Sequence, residues 1–169
     1  RYGLPEKIGG WEKVTSDALV GATRAILSYS ALNGVKYAIY GTNKKLYAYS
    51  EGSYADITPT RSTGTGNITQ FATTNGSTTV TVTDSSHGAL IGDFVTIASV
   101  SGAVGGISAA NLQGEFEVLT VPNSNTYTIE AKAAASSTTT GSTANATYQL
   151  NTGAAVSLFG YGWGAGTWS

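Results

Sequence analysis

Apolar and polar positions along this chain alternate in short runs, the period that puts successive side chains on opposite faces of a strand. Ser77–Thr83 alternates strictly: Val80 and Val82 share one face, and Thr79, Thr81 and Thr83 share the other. Lys45–Tyr49 repeats the pattern, with Leu46 and Ala48 on one face and Tyr47 and Tyr49 on the other. In the first part of the chain the runs Arg24–Ser30, Val35–Tyr40, Lys45–Tyr49 and Ser53–Ile57 predict four antiparallel strands. Leu32-Asn33-Gly34 is a hairpin signal, since Asn-Gly favours the positive φ values of a tight primed turn. Gly41–Lys44 and Glu51-Gly52 supply the next two turns, and Pro59 ends the series. Such a meander has the size of one propeller blade, which cannot bury both faces alone.

The second part is also rich in strands but punctuated differently. Ser62–Asn67 (Ser-Thr-Gly-Thr-Gly-Asn) reads as a loop, and Asp84–Gly88 and Pro122–Asn125 read as turns. Between them Ser77–Thr83, Phe94–Ala98, Glu115–Val121, Thr126–Ala131 and Thr147–Leu150 predict strands. Ser108 is placed to cap one helical turn over 109–112. Ala133–Thr143 lacks large apolar residues and reads as a loop. The expectation is a small antiparallel barrel or sandwich of roughly five to seven strands, of the size usual for such modules. The aromatic, Gly-rich segment Val156–Trp168 differs from this middle and resembles the start. The domain reading is therefore a blade-like sheet over 1–61, an inserted β module over 62–150, and a return segment over 151–169. The predicted fold class is all-β.

Composition sharpens this picture. Of 169 residues only 11% are charged, against roughly 25% in an ordinary domain, and 22 are glycine. Thr, Ser, Asn and Gly fill the difference, which argues against a helical bundle. There is no Cys, which excludes disulfides, thiol catalysis and cysteine-based zinc sites. There is no Met either, and the chain begins Arg1-Tyr2-Gly3, so both ends read as cut from something longer. No apolar run is long enough to span a bilayer as a helix. The net charge of −1 gives no electrostatic case for nucleic acid binding by the whole chain. That net charge conceals a split near residue 61: basic residues outnumber acids before it, while Lys132 is the one base after it. Seven of the ten tyrosines also lie before it.

Candidate chemistry is sparse. His87 precedes Gly88 in a turn, and nearby Asp84 lies in the same turn, which is a poor start for a nucleophilic triad. Glu115 and Glu117 share one strand face, where solvation explains them better than glycoside hydrolysis does. Asp84, Asp93, Asn123 and Asn125 carry oxygen ligands suited to calcium but no Asp-x-Asp-x-Asp loop. Ser62–Asn67 lacks the Lys and the helix of a phosphate loop. The reading is a protein without catalytic residues, metal or cofactor. The stronger signal is aromatic: Trp11, Tyr29, Tyr37, Tyr40, Tyr47, Tyr49, Tyr161, Trp163 and Trp168, with Lys44 and Lys45 beside them, form a candidate interface. Aromatic faces bind partner subunits, sugars or single strands, and cross-strand pairing accounts for part of the set.

Taken together, several runs carry a family resemblance. Gly9–Lys13, Ala25–Tyr29, Tyr37–Tyr49 and Asp56–Pro59 resemble large virion structural proteins of tailed bacteriophages, closest to the tail hub or nozzle proteins of short-tailed phages. The stretches Val80–Val82, His87-Gly88, Gly92–Ile97, Gly114–Val118 and Asn125–Ile129 are similar to a small β module recurrent in phage tail proteins. The resemblance implies a non-enzymatic component of the virion. It implies a six-fold homo-oligomeric ring around the tail channel, other tail or neck proteins as partners, and DNA only as passing cargo. The charge split adds an expectation that the basic part of one subunit meets the acidic part of the next, with salt-sensitive assembly. A second expectation is that the middle module decorates the ring. The alternative function is a carbohydrate-binding or adhesin module of a tail fibre or secreted protein.

Overall fold

The computed structural model describes residues 18–152. They fall into two compact units, divided between Thr58 and Pro59. Both are antiparallel β structures, so the all-β expectation holds; one 3-10 turn, Ala109–Leu112, is the helical element among the described residues.

In the first unit, β1 (Thr23–Ser30), β2 (Lys36–Thr42), β3 (Leu46–Ser50) and β4 (Ser53–Asp56) form one sheet in sequence order. The β1–β2 connection departs from the expected primed turn. Among the described residues of that loop, Gly34 alone takes a positive φ, 83°, while Ala31 bonds across the loop to Val35. This is the longer hairpin type that ends on a left-handed glycine. Cross-strand register fixes the two faces. One carries Leu27, Tyr29, Tyr37, Ile39, Leu46, Ala48 and Ala55; the other carries Ile26, Ala38, Tyr40, Tyr47, Tyr49 and Tyr54. Both faces are thus apolar, while among the described residues of this unit only Lys45 and Tyr47 are buried.

Among its described residues the second unit has nine strands: β5 (Thr60–Ile68), β6 (Gln70–Thr73), β7 (Thr79–Thr83), β8 (Phe94–Ala98), β9 (Gly114–Glu117), β10 (Thr120–Asn123), β11 (Thr126–Glu130), β12 (Thr139–Gly141) and β13 (Ala144–Asn151). They make a five-stranded sheet, β10-β11-β7-β6-β12, and a four-stranded sheet, β5-β13-β8-β9. A single core joins them, as in a sandwich. Phe71, Val80, Val82, Tyr127 and Ile129 come from the first sheet, and Ile68, Val95, Ile97, Phe116, Ala146 and Tyr148 from the second. At about 25 cal/mol per Å² of buried apolar area, side chains of this size contribute roughly 1.5–3 kcal/mol each before entropy is counted.

Five further expectations need correction. The strands number nine, above the five to seven expected. Ser62–Asn67 is not a loop: it lies within β5, paired with β13 from Ser62↔Leu150 to Asn67↔Asn145. Its glycines stand opposite Ala146 and Tyr148, where a missing side chain makes room instead of breaking the strand. Glu115–Val121 is two strands, not one; the chain leaves one sheet after β9 and enters the other at β10, and Pro122 sits on that sheet's outer strand. An edge position is where a residue without an N–H is tolerated. Ala133–Thr143 contains β12, and its Ala135 is buried. Ser108 precedes the 3-10 turn without a side-chain cap bond.

Candidate functional site

The tyrosines of the candidate interface separate onto the two faces of the first sheet. Tyr29 and Tyr37 are register partners on one face, with rings stacked 5.3 Å apart. On the other face Tyr49 and Tyr54 are register partners at 4.8 Å, and Tyr40 meets Tyr54 edge-on at 5.5 Å. Tyr47 is buried, and its hydroxyl accepts the Val20 N–H at 3.1 Å. Such pairs contribute about 0.5–1.5 kcal/mol beyond their buried area. Lys45 is buried too, with its ammonium 2.9 Å from Asp56 Oδ2, whereas Lys44 is exposed in the β2–β3 turn. Trp11, Tyr161, Trp163 and Trp168 lie outside the described residues.

The outermost strand, β1, is exposed at every one of its eight residues. Ile26 and Leu27 are 63% and 64% exposed, on opposite faces, and Tyr29 is 48% exposed. An apolar edge strand with both faces uncovered is a template for pairing and burial by another surface.

The second unit holds a buried polar cluster that sequence reasoning divided into unrelated turns. Asp84, at the end of β7, is 3% exposed. The Tyr148 hydroxyl donates to its Oδ2 at 2.6 Å and lies 3.2 Å from the Tyr127 hydroxyl. Burial raises both tyrosine pKa values above their ordinary 10; a hydrogen bond with Tyr148 partly offsets this at Tyr127, and the Asp84 charge adds to it at both. His87 packs edge-on against Tyr127 at 5.0 Å. Its Nδ1 accepts the Ala89 N–H, which assigns the proton to Nε2, 3.3 Å from the Asn123 carbonyl oxygen. His87 and Asp84 therefore stand near each other without the hydrogen bond that a general base needs.

Asp93 is committed elsewhere. It is buried, and both its carboxylate oxygens take the Arg61 guanidinium, at 2.9 and 2.6 Å. It also accepts the backbone N–H groups of Leu90 and Asn151. Arg61 adds bonds to the carbonyls of Asn151 and Gly88, so this fork ties the start of β5 to the end of β13 and to the loop before β8. Asn123 and Asn125 spend their side-chain oxygens on the backbone N–H groups of Asn125 and Ser86. Each of the four side chains considered for calcium thus already accepts a hydrogen bond within the chain. Among the described residues no group of three or more His, Asp or Glu is placed to hold a metal ion. Glu115 and Glu117 flank buried Phe116 on β9, with Glu115 exposed. Among the described residues no helix is long and apolar enough to cross a membrane.

The chain matches no protein-family model, and no curated protein matches it. Among solved structures, it is similar to the phage phi92 endosialidase over 74% of its length, at 24% sequence identity and a TM-score of 0.44; the match takes in 19% of that chain.

Proposed function

We propose that this chain is a building block of a phage tail that acts through subunit assembly, as part of a hub, nozzle or adaptor ring around the tail channel. The observation that supports the reading is the first sheet: four strands with apolar side chains on both faces and a fully exposed outer strand, β1. A sheet of this kind becomes stable when neighbouring layers cover it, as blades do in a propeller. In that arrangement the second unit is an inserted module. A six-fold homo-oligomer, with other tail proteins stacked on it, follows from the family resemblance of the sequence. The carbohydrate-binding alternative calls for a planar row of exposed aromatic rings: Tyr29 and Tyr37 lie within 19° of parallel, while Tyr40, Tyr49 and Tyr54 meet at 69° and 48°.

The test is the oligomeric state of the chain, alone and within the parent particle, with a charge placed on β1. A lysine at Leu27 abolishes association if this surface carries it. Unchanged association of Leu27→Lys overturns the reading.

A further inference from the structure

We propose that the cleft beside Asp84 is a binding site for an organic cation, an ammonium or guanidinium group of the kind borne by lysine and arginine. The proposal is independent of the assembly reading. The cleft, about 280 Å³ in volume, lies between β5 and the turn that follows β7, lined by Gly64, Gly66, Asp84, His87 and Tyr148 among others. It exists because β5 carries glycine where its partner strand turns Tyr148 inward. Gly64 is the register partner of Tyr148, and a Cβ there would meet nothing within 4 Å. Gly66 lies directly against the Asp84 carboxylate.

No basic side chain of the second unit pairs with Asp84. Asp84 is almost fully buried, and among the described residues its carboxylate receives one hydrogen bond, from Tyr148. A carboxylate removed from water ordinarily has a cation or several N–H donors around it. The second unit has two basic residues, Arg61 and Lys132. Arg61 is locked on Asp93, and Lys132 donates to the Gln113 carbonyl and lies over the Phe116 ring. Asp84 therefore lacks a cation from its own unit, in a cleft whose lining also includes Ser62 and Tyr148. An ammonium or guanidinium group suits this wall, because the carboxylate both takes its charge and accepts its N–H groups. A neutral polyol would leave the charge unanswered.

The cation has two possible sources, a free small amine or a Lys or Arg side chain of another protein copy, and the experiment separates them. The full chain, labelled for amide NMR, is titrated with methylguanidinium, with n-butylammonium and with glucose. The expected result is saturable shifts at Gly64, Gly66 and the 84–88 turn with the cations and none with glucose. Asp84→Asn keeps an acceptor for Tyr148 but removes the charge, and should weaken binding at least about tenfold, or 1.4 kcal/mol. Gly64→Val, at a position where a Cβ meets nothing within 4 Å, narrows the cleft and should abolish the shifts in a chain whose other resonances stay put. Weaker concentration-dependent self-association of Asp84→Asn, by sedimentation, identifies a second copy as the source; equal self-association identifies an external cation. Absence of saturable shifts with both cations, or shifts that survive in Asp84→Asn, overturns the proposal.

Discussion

Gly66 and Asp84 occupy one another's space: a Cβ built on Gly66 would stand 1.9 Å from Asp84 Oδ2 and 2.9 Å from the Tyr148 ring. Neither neighbour can give way easily, because Asp84 is short and buried and Tyr148 is held by it. Gly66→Ala is therefore expected to destabilise the second unit by about 2 kcal/mol or more, the usual cost of overpacking. Gly64→Ala, two residues away on the same face, is expected to be neutral or to stabilise by about 0.5 kcal/mol, since it meets open space and reduces the freedom of the unfolded chain. Denaturant melts of the two variants read the difference directly; equal effects would show that the close approach does not matter.

The Arg61–Asp93 fork supports a second prediction. Arg61→Ala leaves a buried carboxylate without its cation, and a loss of about 3 kcal/mol is expected. Arg61→Lys restores the charge but not the two-pronged geometry, and should recover only part of that loss. Replacing both residues with apolar ones should cost less than Arg61→Ala alone. Urea unfolding of the three variants tests the order, and a double variant worse than the single one would contradict it.

Tyr127 and Tyr148 predict how stability responds to alkali. Both have pKa values raised above 10 in the folded state, first by burial, so the native chain holds these protons longer than the unfolded chain does. Stability from this source is complete below pH 10 and falls as pH rises beyond it, by up to about 1.4 kcal/mol per pH unit for each tyrosine. Absorbance titration should show two tyrosines ionising only as the chain unfolds. Tyr148→Phe removes one of them, flattening the alkaline loss while lowering stability at neutral pH through the bond taken from Asp84.

Assembly makes the last prediction. Leu27→Lys or Ile26→Asp on β1 should shift the sedimenting species to monomer, whereas Thr96→Lys, exposed on β8, should not. If charge pairing between the base-rich first part and the acid-rich second part contributes, association should weaken between about 0.05 and 0.5 M salt as screening shortens. Association indifferent both to β1 charge and to salt would count against both contacts.

Period-two alternation made the strands legible. Val80 and Val82 are buried in β7 with the intervening Thr81 half-buried, and Tyr47 packs on the face opposite Leu46, because side-chain direction in a strand is local. The strands of the first sheet were legible for the same reason, each bounded by its own turn residues. Glycine was misleading where its role was not local. In Ser62–Asn67 it reads as a breaker, yet the chain there is extended because Tyr148 and Asp84 need the space. Residues 84 and 148, or 61 and 93, have no relation along the sequence; only strand pairing and the stacking of two sheets bring them together. The sequence by itself determined an all-β chain of short, mostly uncharged strands. The tertiary structure decided which polar residues were buried together, because burial and pairing depend on contacts between strands far apart in the chain.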